Sequence, residues 1–510
     1  MPLNDLPRAS GVLMHPTSLT GRHGIGDLGA AAYAFIDFLA RSEQALWQVL
    51  PLNPVCYDDY SPYRTSSSAA GNPLLISLES LAGDGLLVPQ QLADLPPLPY
   101  GRVDYDGVVA RKEPLLRQAF DAFKAHGGHL TGAYESFRAE NAPWLEDYAL
   151  FTALRAAYKG MPWNLWPSEV RRRDRAALTA ATRRLSDEMA YQEFLQFTFF
   201  RQWNSLKAYA NAHGISIVGD VPIYVAHDNV DVWVHPDYFQ LQPQTLEPAF
   251  QGGCAPDDFF TREGQAWGSP VYNWDVLKRD GYRWWLDRFA SLFQHFDWVR
   301  LDHFRGFEAY WVIPPDAHSA AEGHFITGPG AAFFETVERT FGVPPIIVED
   351  LGYITPEVLA LREQFAFPGM FVLQFAFRPV EDNPYLPYKC GHNSVMYTTT
   401  HDTDTTAGWF ESLPALDRGR VLTYIGEVDP EGIHWSFIRL ALGSVARWAI
   451  LPLQDVLGLG SEGRMNLPGS LGATNWSWRV APDALSDEVG ARLQLLTRTY
   501  GRAGRGLPFD

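Results

Sequence analysis

Short apolar runs recur along the chain, most of them followed by loop chemistry and then by a stretch at helical spacing. Runs at 11–14 (GVLM), 46–52 (LWQVLPL), 215–219 (ISIVG), 296–301 (FDWVRL), 344–348 (PPIIV), 369–375 (GMFVLQF), 394–399 (SVMYTT) and 448–453 (WAILPL) predict eight strands. Helical patterns fill 29–41, 330–341 and 355–365. In the last of these, Thr355-Pro356-Glu357 reads as an N-cap followed by a proline in the first helical position. Strands that are continuously apolar and alternate with helices predict a (β/α)8 barrel, whose parallel strands are buried on both faces.

A bare barrel takes roughly 250 residues, so about half of a chain of 510 residues is insertion. We expect one catalytic barrel domain over 1–510 with two large insertions. The first, 76–213, follows the second strand and reads as helical. Its end carries Leu195, Phe199, Trp203, Leu206 and Ala210 at helical spacing, with Gly214 as the residue just past the helix. The second, 222–280, is rich in aromatic residues, Pro and Gly. No internal repeat or low-complexity tract is present.

Composition narrows the possibilities. The chain is 46% hydrophobic with 17 tryptophans, which is enough for a large core. Its 41 basic and 59 acidic residues give a net charge of −18, which argues against nucleic acid or an anionic membrane as partner. The short run Arg171–Arg173 with Arg175 reads as a solvated helix face. No apolar stretch reaches the length of a membrane span, and MPLNDLPRAS lacks the features of a signal peptide. Cys56, Cys254 and Cys390 are few, odd in number and far apart, with no zinc-type spacing. The expectation is a soluble protein of a reducing compartment, the cytoplasm.

GIGDLG at 24–29 matches a dinucleotide fingerprint, but roughly ten loop residues separate it from the strand, so it reads as a turn before a helix. WVRLDHFRG at 298–306 gathers charge at the end of an apolar strand. Strand alternation puts Val299 and Leu301 on one side and Arg300 and Asp302 on the other. In a barrel the second pair points inward at the C-terminal rim, where barrel enzymes keep their chemistry. By itself it is equally a structural ion pair. IIVEDLG delivers Glu349 and Asp350 to the same rim, and VMYTTTHDTD delivers His401, Asp402 and Asp404. Asp350 and Asp404 also read as possible helix N-caps. Carboxylates converging from three strand ends fit glycoside cleavage, which needs one on each side of the anomeric carbon. Asp220, ending the ISIVGD strand, is a fourth rim acid, read equally as a structural hydrogen-bonder. Tyr63, Trp267 and Trp476 lie in loops and are candidates to stack on sugar, although burial explains each alone. A metal centre of His303, His401, Asp402 and Asp404 is disfavoured by Arg300 beside Asp302, so no metal or cofactor is expected. No G-x-S-x-G elbow supports a serine hydrolase.

The segments HPTSLTGRHGIGDLG, SPYRTSSSAAGNP, PWNLWP, GDVPIYVAHDNVDVW, GQAWGSPVYNWD, VRLDHFRGFEAYW, VEDLGYITPEV, GMFVLQFAF, THDTDTT, QDVLGLGSEGRMNLPG and NWSWR appear in this order. Together they resemble the amylomaltases, the 4-α-glucanotransferases of glycoside hydrolase family seventy-seven in the α-amylase clan. The resemblance implies Asp302 as nucleophile, Glu349 as general acid/base and Asp402 as the acid that grips substrate hydroxyls. It places substrate binding on Arg300, His303, His401, Tyr63, Ser61, Asp220 and Asn475, and a mobile active-site loop on the segment with Gln265 and Trp267. Two departures stand out. APDDFFT replaces the usual PPDYFS, so Phe259 stands where the family often has tyrosine, which puts acceptor contacts or loop closure in question. THDTD replaces THDND, with Thr403 outside the catalytic groups.

The reaction so implied is a retaining double displacement. It moves a segment of an α-1,4-glucan donor onto glucose or a maltooligosaccharide acceptor. An α-amylase-like hydrolase is the nearest rival, and a glucan-binding protein without activity is another. Closure of an aromatic loop such as 252–268 is what would let a sugar acceptor outcompete water.

Overall fold

The computed structural model describes residues 7–56, 59–257, 262–472 and 474–503. Phe259 lies outside them. The eight expected strands are all present: β1 (Ala9–Leu13), β2 (Leu46–Gln48), β3 (Ser216–Val221), β4 (Trp298–Leu301), β5 (Ile346–Val348), β6 (Gly369–Val372), β7 (Ser394–Tyr397) and β8 (Trp448–Pro452). Each ladder between neighbours is parallel, in the order β6-β7-β8-β1-β2-β3-β4-β5. The gap between β5 and β6 is bridged by Val348 N donating to Pro368 O at 2.9 Å and Met370 N donating to Asp350 Oδ1 at 2.7 Å. The sheet therefore curls into a nearly closed barrel.

Inward residues fill the barrel in layers. Trp298 and Trp448, from the opposed strands β4 and β8, meet edge to face at 4.9 Å and close its lower end. Above them the interior turns polar. Tyr397 donates to Gln48 Oε1 across the barrel at 2.8 Å, and Arg300 lies in register with Asp220 of β3. Val299 and Leu301 of the same strand are fully buried in the apolar core, as strand alternation predicts.

Between β2 and β3 the chain is helical, ending in the long helix Ser186–Ala212 with Gly214 in the left-handed region just beyond it. This helix is buried on most of its circumference. Two of its glutamines bind loop backbone as a strand would. Gln196 accepts from Gly71 N at 2.7 Å and donates to Gly71 O at 3.0 Å, and Gln202 holds Ser77 in the same way. A side chain at Gly71 would collide with the Phe199 ring, since a Cβ there would lie 2.0 Å from it. The insertion thus fixes the loop that carries Tyr63.

The structure departs from the sequence pattern in three respects. The β2 run stops at Gln48 and the β6 run at Val372, where Leu373–Phe377 turn into a 3-10 helix. An apolar run cannot by itself distinguish a buried strand from a buried turn. A four-stranded antiparallel sheet, in the order Gln265–Pro270, Gln251–Cys254, Ala309–Ile313, His324–Thr327, was not anticipated. Nor do Asp350 and Asp404 cap helices. Thr355 and Thr405 occupy those cap positions, while Asp350 is tied to Arg362 and to Met370 N. GIGDLG is a turn into the helix Ala30–Arg41, and Gly26 sits so close to Pro16 O that a Cβ would lie 2.0 Å from it.

Candidate active site

The rim is organised around Arg300. Its Nη1 donates to both oxygens of Asp220, at 2.8 and 2.7 Å, and lies 2.9 Å from Asp302 Oδ1. Its Nε points at Met370 Sδ at 3.3 Å. Burial alone would lower the charge on the guanidinium, but Asp220 and Asp302 overcome that and hold it fully protonated. Asp220 is completely enclosed, with its second partner the Tyr63 hydroxyl at 2.7 Å. It is thus an anchor for Arg300 and Tyr63.

Asp302 keeps 26% of its side chain open to the cleft. Glu349, one strand over, is buried and accepts two backbone hydrogen bonds at 2.8 Å, from His303 N and Leu351 N. His303 adopts a left-handed conformation (φ 49°, ψ 50°), costly for a non-glycine residue, and that turn aims its N–H at Glu349. Both carboxyls are pushed up by burial. Arg300 opposes the rise at Asp302, while the charge of Asp302 adds to it at Glu349. The pair therefore loses a first proton near about 6 and a second near about 8, with Asp302 ionising first because it touches the cation.

Asp402 behaves differently. Burial works against its charge, but His401 Nε2 at 3.3 Å and Asn466 Nδ2 at 2.7 Å hold it down to about 2. Burial likewise lowers His401, yet Asp402 wins and raises it. The Tyr63 ring stacks on His401 at 5.1 Å and 17° and leans on Trp476 at 5.7 Å, making an aromatic wall on the Asp402 side. On the other side the Trp267 edge meets the His303 ring at 4.8 Å, and the Trp267 indole donates to Gln265 at 3.0 Å. Burial, aided by Arg305, keeps His303 neutral, at about 3.

Arg300, Asp302, His303, Glu349, His401, Asp402, Tyr63, Asp220 and Trp267 thus converge, with Gln265 joined through Trp267. Ser61 and Asn475 shape loops. Ser61 Oγ accepts from Tyr63 N at 3.2 Å, and Asn475 Oδ1 accepts from Leu467 N at 3.1 Å. The residue reading missed Asn466, Met370 and Asp455. Asp455 accepts from Thr398, Thr399 and Thr406, so it fixes the TTTHDTD segment. It follows the β8 strand end, and the rule that flagged the other rim acids also finds it. Asn466 sits in a loop without periodicity. Among the described residues no group of His, Cys, Asp and Glu forms a metal cage.

A (β/α)8 barrel with carboxylates and ring faces converging on its rim defines a carbohydrate-active enzyme by fold and chemistry. The family model described as 4-alpha-glucanotransferase matches residues 14–485. A 4-alpha-glucanotransferase of Synechocystis is 49% identical over 97% of this chain and 98% of its own length. One from Thermus thermophilus is 46% identical over 98% of this chain and 100% of its own. The structure of the amylomaltase from Streptococcus agalactiae in complex with acarbose superposes with a TM-score of 0.93 at 36% identity, covering 97% of this chain and 99% of that one. The amylomaltase of Corynebacterium glutamicum shares the fold at a TM-score of 0.77 and 19% identity. The chain belongs to the 4-α-glucanotransferase family, and that membership supports glucan transfer over hydrolysis as its activity.

Proposed function

We propose that this chain moves segments of α-1,4-glucan from a donor to glucose or a maltooligosaccharide by a retaining double displacement. Ionised Asp302 attacks the anomeric carbon while protonated Glu349 gives its proton to the departing glycosidic oxygen. The fragment on the reducing side leaves, and a β-linked glycosyl ester remains on Asp302. Glu349, now a carboxylate, takes the proton from the acceptor 4-hydroxyl, whose oxygen displaces Asp302 and restores the α linkage. Asp402, held charged by His401 and Asn466, accepts hydrogen bonds from sugar hydroxyls and stabilises the positive charge that develops on the sugar. Tyr63 and Trp267 offer ring faces to sugar, and His303 and His401 offer donors. Work in the cytoplasm fits the absence of any disulfide among Cys56, Cys254 and Cys390.

The observation that carries this reading is the pair Asp302 and Glu349 on adjacent strand ends, one touching a buried cation and the other bonded to backbone N–H groups. Their environments push the two proton affinities apart, which is how one pair of carboxyls supplies both a nucleophile and an acid. Activity requires Asp302 ionised and Glu349 protonated. The rate should rise with pH through about 6 and fall through about 8, giving a bell in kcat/KM. A profile without an alkaline fall below pH 10 would remove Glu349 as the acid.

Incubation with maltotriose tests the reaction itself. Transfer produces free glucose together with a ladder of longer oligosaccharides. Products that are only shorter than the substrate would mean hydrolysis.

A further inference from the structure

The proposed reaction leaves the rim acid Asp350 without a task. Its side chain is buried at the seam between β5 and β6, the two ends of the strand order. There Asp350 Oδ1 accepts from Met370 N at 2.7 Å, as a strand carbonyl would, and Oδ2 is paired with Arg362. Gly369 lets β6 run against this carboxylate, since a Cβ there would lie 2.6 Å from Asp350 Oδ2. Asp350 therefore sets where Met370 sits.

Met370 in turn is buried and places its sulfur 3.3 Å from Arg300 Nε. Elsewhere on the same guanidinium a single nitrogen, Nη1, serves both oxygens of Asp220 and one of Asp302. A rigid planar group held through one nitrogen can still turn about it, and a second contact at Nε fixes its plane. Asp302 Oδ1 follows Nη1, so the direction of the second Asp302 oxygen depends on that plane. Sulfur suits the position. A thioether is a weak, neutral acceptor, so it meets a buried donor without drawing the positive charge away from the two aspartates. A carboxylate there would share that charge, and a leucine of similar size would leave the donor unmet.

We infer that Met370 is a positioning residue for the reaction: its sulfur, placed by Asp350, fixes the plane of Arg300 and through it the aim of the attacking Asp302 oxygen. This rests on Asp302 as the nucleophile and adds what holds that nucleophile on line. It also gives Asp350 a task, two contacts away from the bond that forms.

Two substitutions separate the sulfur from the space it fills. Met370→Leu conserves volume and removes the acceptor, and Met370→Gln returns a neutral acceptor on an unbranched chain of similar reach. In Met370→Leu, kcat for maltotriose disproportionation should fall about tenfold with KM within about twofold of the original. Met370→Gln should recover most of the loss. Stopped-flow fluoride release from α-maltotriosyl fluoride reads the first displacement alone, because fluoride leaves without an acid. That release should slow about tenfold in Met370→Leu as well, since the defect lies in the aim of Asp302. A leucine variant with kcat within about twofold of the original, or with only KM raised, overturns the inference. So does unslowed fluoride release, or a glutamine variant no faster than the leucine one. A failure of the nucleophile reading shows up separately, as no glycosylated Asp302 peptide from the Glu349→Gln variant.

Discussion

Asp302→Asn will lower kcat for maltotriose disproportionation by about 10⁴-fold while leaving maltoheptaose binding within a few-fold of the original. The amide has the shape of the carboxylate, and its oxygen still accepts from Arg300 at the position 2.9 Å away. What it lacks is the charged oxygen that forms the bond to the anomeric carbon. The Tyr63 stack on His401 and the Asp402 contacts to His401 and Asn466 do not involve Asp302, so the sugar-facing surfaces persist. Kinetics and calorimetry on the same preparation separate the two effects. More than a tenth of the original turnover in the purified variant would remove Asp302 from the bond-forming role.

Arg300→Met will damage stability and chemistry together. It strips the cation from the fully enclosed Asp220 and from Asp302, and breaking a buried pair in this way costs about 3–5 kcal/mol. A lower urea midpoint at an unchanged slope should report that loss. The chemical consequence has a definite sign. Arg300 is the opponent of the upward shift at Asp302, so its removal raises the Asp302 carboxyl further and moves the acid limb of the activity profile to higher pH. Pairing Arg300→Met with Asp220→Asn removes the stranded carboxylate and should recover part of the stability. Recovery of stability without any shift of the acid limb would confine Arg300 to holding the barrel together.

The sequence exposed the barrel because its strands are buried on both faces. Such strands read as continuous apolar runs, and each of the eight runs locates one. Their lengths were less legible, because Leu373–Phe377 is as apolar as the strand before it and differs only in backbone geometry. The antiparallel sheet over the rim escaped notice for the opposite reason. Gln251–Cys254 contains Gly252 and Gly253, and Gln265–Pro270 is half-exposed, so neither shows an apolar alternation to read. At the site, alternation correctly turned Arg300 inward with Asp302, because a period of two holds wherever a strand is regular. Partners supplied from far along the chain had no such signal. The bond from Asn466 to Asp402 and the contact of Met370 with Arg300 exist only once the barrel has closed. The left-handed turn at His303 that aims an N–H at Glu349 likewise leaves no mark in the apolar pattern.

The central claim is that Asp302 carries the glycosyl group between donor and acceptor while Glu349 moves the proton. Its most direct test uses the Glu349→Gln variant and α-maltotriosyl fluoride, whose leaving group departs without an acid. The first displacement then proceeds, and the second, deprived of its base, slows. Rapid acid quenching, proteolysis and mass spectrometry should find the peptide containing WVRLDHFR heavier by one maltotriosyl group, attached at Asp302. A maltotriosyl group on Asp402 or Asp220, or fluoride released with no glycosylated peptide and a β-configured product, would contradict the account.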